Sequence, residues 1–256
     1  MFRKSIYSAL LLLLVSFCFV LSGEEVKKEE VEKQEKPSIY EGMTISPEMS
    51  KEIIERITAK YSKMYEKYSG IKSTRHVTVE WRHPRTNELL EKEEVVYTRY
   101  DDFYENLVFE VHKYTVDGVE KNPKSYDPRE SKPGIPHFDK NGEKEYVRNV
   151  VGIEKVHGKL CYKIKMVPRN PKDEHFAGHV WISVDGLEYI QNEGTSGKMR
   201  FGVSDLYVKY KAKDFGDYFF FTSGYTKVTL NVLGLYRRTL VFNFVNKDIE
   251  PIPRKK

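Results

Sequence analysis

Residues 159–190, KLCYKIKMVPRNPKDEHFAGHVWISVDGLEYI, read as three β-strands joined by two turns. Leu160, Tyr162, Ile164 and Met166 alternate with Cys161, Lys163, Lys165 and Val167. That period of two lays an apolar row on one face of a sheet. Pro168 and Pro171 end the first strand, because proline has no N–H to give a ladder. Phe176, Val180, Ile182 and Val184 form a second row. Asp185-Gly186 is a hairpin signal, since both residues tolerate the positive φ of a tight turn. Residues 187–192 then return.

Outward from this core, the same rhythm continues in both directions. Towards the amino terminus, Val77, Val79 and Trp81 alternate, residues 95–100 and 104–116 pair across Asp101-Asp102, and Asp117-Gly118 closes a further turn. Towards the carboxyl terminus, residues 147–156, 198–211, 218–222, 225–233 and 235–245 read as strands. Gly194 to Gly197, Gly216, Ser223-Gly224 and Gly234 punctuate them. Short strands at regular spacing predict one strongly curved antiparallel sheet of about ten strands, spanning residues 46–250 as a single domain. Residues 118–142 break the rhythm and hold four of the eleven prolines. A loop of this length is either a lid or binding loop, or else a solvated connection or a short helix.

Before the sheet lies one amphipathic helix. Ser46-Pro47-Glu48 supplies an N-cap, a first-turn proline and a carboxylate at the positive end of the dipole. Met49, Ile53, Ile57, Tyr61, Met64, Tyr65 and Tyr68 follow at spacings of three and four, and Gly70 marks the expected end. Such a stripe either packs on a sheet or covers a ligand cavity. Residues 24–45 open on the charged run EEVKKEEVEKQEK and read as a flexible tether. Residues 1–23, with Arg3 and Lys4 ahead of an apolar run, match a cleaved secretory signal, with an uncleaved membrane anchor as the alternative. Residues 251–256 read as a disordered tail.

Without residues 1–23, Lys+Arg falls from 43 to 41 against 38 Asp+Glu, leaving a net charge of +3. No basic stripe with interleaved aromatics accompanies it, so nucleic acid is not an expected partner. Cys161 is then the single cysteine and forms no internal disulfide. An exported, cysteine-poor chain points to the bacterial periplasm. No hydrolase elbow, P-loop, dinucleotide fingerprint or paired CxxC is present. His175 and His179 on an extended segment stand about 13 Å apart, too far for one metal at bonds of roughly 2 Å. Cys161 reads as a small core residue. No acid, base and nucleophile converge, so the expectation is a protein that binds and does not catalyse. Neither a metal nor a cofactor is expected.

The chain is instead rich in apolar and aromatic side chains, with 13% Phe, Trp and Tyr. Phe219-Phe220-Phe221 is apolar on both faces, and Tyr236, Leu240, Phe242 and Phe244 share one. A concave apolar face is either filled by side chains or covered to leave a cavity for acyl chains. Each buried CH₂ there is worth roughly 0.8 kcal/mol. The candidate cavity residues are Ile164, Met166, Val180, Ile182, Val184, Phe219, Phe221, Leu230, Leu240 and Phe242, with Ile53, Ile57 and Tyr61 of the helix closing over them.

Tyr162 to Arg169 (YKIKMVPR), a charged turn, His179 to Gly186 (HVWISVDG), Leu187 to Ile190 and Gly197-Lys198 resemble the outer-membrane lipoprotein-sorting (LolA/LolB-like) superfamily. The resemblance implies an α+β, mostly antiparallel fold: an unclosed β half-barrel of about eleven strands whose concave face is covered by the amino-terminal helix. It implies a hydrophobic cavity for lipid or lipoprotein acyl chains, no cofactor, and an inner- or outer-membrane protein as a further partner. The alternative is an envelope interaction module with a filled core, holding a protein partner on an edge strand or on residues 118–142.

Overall fold

The computed structural model describes residues 45–102, 107–126, 137–170 and 175–254. The expected signal segment, all but the last residue of the expected tether, and the middle of the 118–142 loop lie outside them.

Helix α1 (Pro47–Lys67) begins as its sequence dictates. The Ser46 hydroxyl accepts the Met49 N–H at 3.2 Å and Pro47 takes the first position. Gly70 does not end it. The helix stops at Lys67, Tyr68 is already extended, and Gly70 lies inside the first strand opposite Asp102 and Ile252. Helix and sheet are therefore joined without a loop.

Eleven strands follow: β1 (Tyr68–Arg82), β2 (Leu89–Asp102), β3 (Leu107–Val116), β4 (Val119–Glu120), β5 (Tyr146–Val156), β6 (Lys159–Pro168), β7 (Phe176–Ser183), β8 (Tyr189–Ser196), β9 (Val203–Asp214), β10 (Phe219–Val232) and β11 (Tyr236–Pro253). They form one antiparallel sheet in the order β4-β3-β2-β1-β11-β10-β9-β8-β7-β6-β5. The sheet is a curved, unclosed half-barrel, because β4 and β5 occupy opposite edges. The chain between them, which carries a 3₁₀ turn (Pro123–Ser125) and the short helix α2 (Lys140–Glu145), must pass from one edge to the other.

Several strand boundaries differ from the sequence expectation. Ser223-Gly224 is not a turn: β10 runs unbroken through it, because Gly224 makes room for aromatic rings. A Cβ there would stand 2.3 Å from Tyr210 Cδ1 and 2.5 Å from Phe244 Cε1. Residues 251–253 are not disordered but continue β11 beside Tyr68 to Ile71. Beyond Val245, β11 is bonded by β1 and no longer by β10, so Pro251 and Pro253 remove no second ladder.

Cross-strand partners share a face, so the register identifies the concave layer. Val77 stands opposite Phe244, Val79 opposite Phe242 and Val228 opposite Leu240. Ile164 stands opposite both Val150 and Val180. These residues are buried and belong to one hydrophobic cluster that also takes in α1.

Candidate functional site

Ten of the thirteen candidate residues meet in that cluster: Ile53, Ile57 and Tyr61 from α1, and Ile164, Met166, Val180, Ile182, Leu230, Leu240 and Phe242 from the sheet. Phe219 and Phe221 are half-buried and pack against it. Val184 does not join them. It follows the last residue of β7, and its N–H donates to the Leu160 carbonyl at 2.9 Å. Ile57, Ile164, Met166, Val180, Ile182 and Leu240 are 0% exposed. The layer is thus closed in this conformation, and anything entering it must first displace the cover.

The cover is α1 together with the end of the crossover. Helix α1 lays its buried stripe, Ser50, Ile53, Ile54, Ile57, Tyr61, Met64 and Tyr65, on the layer. No ladder holds it down; beyond one backbone bond, from the Arg254 N–H to the Lys67 carbonyl at 3.1 Å, side chains do. At its start, the Ser50 hydroxyl accepts the Val150 N–H of β5 at 2.8 Å. At its middle, the Arg148 guanidinium donates to Thr58 Oγ1 at 3.2 Å. Lys60 Nζ donates to Asp214 Oδ2 at 2.7 Å and to the Gly186 and Leu187 carbonyls. The Tyr61 hydroxyl accepts the Tyr189 N–H at 2.7 Å and lies 2.8 Å from the Leu187 carbonyl and 3.1 Å from Asp214 Oδ2. Burial first, then Asp214, pushes this hydroxyl far above the ordinary phenol range, so it stays a neutral donor. At the helix end, Lys67 and the Tyr68 hydroxyl both reach Asp217.

The end of the crossover lies beneath the same helix. Phe138 is 1% exposed, with ring centroids 6.3 Å from both Tyr61 and Tyr189. His137 packs among Tyr146, Phe176 and Tyr189, and its Nδ1 is 3.0 Å from the Tyr189 hydroxyl. Burial, and then Arg148, lower His137 to about 4. On the other side of the half-barrel, Tyr126 stacks on Tyr97 and packs at a tilt against Tyr114. The crossover therefore touches the concave face at both of its described ends.

Sequence reasoning missed a buried polar cluster beside this layer. Arg75 on β1 donates through Nε to Asn246 Oδ1 at 2.7 Å and stacks 4.2 Å over the Phe244 ring. Arg99 on β2 forks onto Asp101, and both are buried. Burial, reinforced by Arg99, pulls the Arg75 guanidinium below its ordinary value. The signal was present in the alternation: extending the Val77–Val79 row back by two reaches Arg75 and Ser73. The row Val95, Tyr97 likewise leads to Arg99 and Asp101.

Cys161 is fully buried, and burial raises its thiol to about 11, so it is not a thiolate nucleophile at neutral pH. His175 pairs with Glu145 at 3.6 Å, and no group of metal-ligating side chains occurs among the described residues.

No family model and no curated protein sequence matches the chain. Its fold is similar to solved structures of the LolA superfamily. One is a LolA superfamily protein from Nitrosomonas europaea, at 10% identity over 79% of this chain and 94% of that one, with a TM-score of 0.43. Another is an outer membrane lipoprotein-sorting protein domain from Vibrio parahaemolyticus, at 11% identity over 80% and 93%, with a TM-score of 0.45. A DUF1329 family protein from Desulfovibrio piger matches at 11% identity over 78% and 92%, with a TM-score of 0.41.

Proposed function

We propose that this protein is an exported, non-enzymatic carrier that holds the acyl chains of a lipid or lipoprotein between the concave sheet face and α1. The observation that carries this reading is the construction of the cover. The sheet is tied strand to strand by backbone ladders, whereas α1 is tied to it by side chains from Ser50, Thr58, Lys60, Tyr61 and Lys67. A cover held this way can lift without breaking a strand pair, and beneath it one apolar cluster runs from β1 to β7. Acyl chains replace the lost side-chain contacts at roughly 0.8 kcal/mol per CH₂. The sequence resemblance of residues 159–198 points to the same cargo, lipoproteins being sorted to the outer membrane, and to a periplasmic location.

Native mass spectrometry of the protein isolated gently from its own envelope tests this reading. A reproducible added mass matching a phospholipid or acylated peptide supports it. A clean apo mass, together with failure to take up a fluorescent fatty acid, overturns it.

A second reading follows from edge strand β5. It is bonded on one side by β6, and Val147 and Val151 stand exposed on it. A protein segment added there as a strand would make the chain an interaction module. Loss of partner capture on changing Val147 and Val151 to Thr, with fatty-acid uptake intact, distinguishes it.

A further inference from the structure

The largest exposed apolar side chains gather at one end of the sheet. Phe201, Leu233 and Leu235 are 71%, 76% and 91% exposed. Phe201 sits in the β8–β9 turn, the leucines in the β10–β11 turn. The β8–β9 turn reaches the end of β10, since the Asn231 N–H donates to the Gly202 carbonyl at 2.8 Å. The β1–β2 turn adjoins the β10–β11 turn. Together with the β10–β11 turn it lines a shallow groove of about 430 Å³ in which His83, Arg85, Arg237 and Arg238 meet Leu235.

Leu233 carries a second, independent signal. Its φ is 52°, followed by 74° at Gly234, in a turn closed by the Leu235 N–H on the Val232 carbonyl at 3.0 Å. That geometry favours Asn-Gly, and a leucine in the left-handed region is costly. Among the described non-glycine residues with positive φ, four are Asn, Asp or His and two are leucines. Leu187 is accounted for: its carbonyl receives Lys60 and Tyr61, and its side chain packs on the core. Leu233 has no such compensation inside the protein, because it points into solvent.

Charge decides the occupant. Residues 83–88, 197–202 and 233–238 hold five cations (Arg85, Lys198, Arg200, Arg237, Arg238) and one carboxylate, Glu88. These turns therefore carry a net charge of +4, against +3 for the whole chain without residues 1–23. Apolar tips surrounded by arginines match an anionic bilayer surface, where the tips enter the headgroup boundary and the guanidiniums meet phosphates. We propose that this end of the half-barrel docks on anionic phospholipid membranes through Phe201, Leu233 and Leu235, with Arg85, Arg237 and Arg238 gripping the headgroups. This does not depend on whether the concave face carries acyl chains.

The test is backbone deuterium uptake of the full chain with vesicles of phosphatidylcholine alone, or of equal parts phosphatidylglycerol and phosphatidylcholine. Uptake is read segment by segment, so any attachment through the apolar amino-terminal run is seen separately. The expected result is protection of residues 83–88, 197–202 and 231–238 with the anionic vesicles only. In vesicle sedimentation, Arg237→Gln with Arg238→Gln weakens the anionic-lipid-dependent binding about thirtyfold. Leu233→Asn weakens it about tenfold, with an unchanged or higher melting temperature because Asn accepts positive φ. Turns that exchange as in solution overturn the proposal. So does equal protection by phosphatidylcholine alone, or by soluble glycerol phosphate, which would reveal a free-anion site.

Discussion

Replacing Tyr61 with Phe tests whether α1 is a lid. The ring is kept, and with it the edge contact to Phe219 at 4.8 Å between centroids. What is lost is one hydroxyl that receives the Tyr189 N–H and donates towards Leu187 and Asp214. Asp214 keeps Lys60 at 2.7 Å, but in the closed state the Tyr189 N–H is left buried without its acceptor. An orphaned buried donor costs about 1–3 kcal/mol. Only the closed form bears this, because water reaches the amide when the helix lifts. The opening equilibrium therefore rises about 5- to 150-fold. Amide hydrogen exchange reads it directly: the α1 amides speed up by that factor, the β10–β11 amides do not, and fluorescent fatty-acid uptake accelerates alongside. An unchanged α1, or an equal acceleration in α1 and the sheet, refutes the lid, since the helix would then be an integral part of the core.

Three further outcomes follow from the same contacts. His137 is held at about 4 in the fold against an ordinary 6.5, so the unfolded chain binds the extra proton between those values. Its contribution is complete above pH 6.5 and is lost as pH falls towards 4, and His137→Gln flattens the slope of stability against pH in that window in urea titrations. A variant that keeps the full slope sinks this assignment. Gly224→Ala drives a methyl into the Tyr210 and Phe244 rings. Partly offset by the lower chain entropy of alanine, it lowers the melting temperature by about 2–8 °C, and an equal or higher value contradicts the close packing. Arg99→Met strands the buried Asp101 and costs about 3–5 kcal/mol in chemical denaturation. Arg99→Met with Asp101→Met recovers most of that loss if the pair acts as a unit.

The period-two rows carried most of the fold. Alternation at residues 160–166 and 176–184 placed Ile164, Val180 and Ile182 on one face, and their register agrees. Elements set by tertiary contact were the ones misread. Gly224 and Gly194 look like turn glycines in sequence but sit within strands, and what Gly224 makes room for is a pair of rings from β9 and β11, distant in sequence. Pro251 and Pro253 signal disorder locally; only the one-sided pairing of β11 makes them tolerable. Arg75 and Arg99 were legible in phase but not in burial, because charged residues in an apolar row are ordinarily assigned to solvent. Residues 118–142 could not be resolved from composition, since whether a loop crosses a cavity depends on where its flanking strands lie in the sheet.

Strand directions relate the two ends of the molecule. The Lys60, Tyr61 and Lys67 contacts of α1 lie at the β7–β8 and β9–β10 turns, through Leu187, Asp214 and Asp217, while Ser50 and Thr58 are held by β5. The apolar tips lie at the β8–β9 and β10–β11 turns. In an antiparallel meander, alternate turns occupy opposite ends, so the Lys60, Tyr61 and Lys67 contacts stand at one end and the tips at the other. β10 alone, at fourteen residues, separates them by about 45 Å. Val228 and Leu230 lie along it, on the concave side between lid and tips. If a membrane meets the tips, an acyl chain leaving the bilayer reaches apolar side chains of β10 and β11 before it reaches α1. Loading then begins at the end remote from the Lys60, Tyr61 and Lys67 contacts, and it is completed when the cover is displaced. Tyr61→Phe and Leu233→Asn would consequently act on different steps, the first on retention under the helix and the second on arrival at the surface. Their effects on transfer of a fluorescent lipid from anionic vesicles should multiply. Effects that do not multiply would mean that lid and tips act on one shared step.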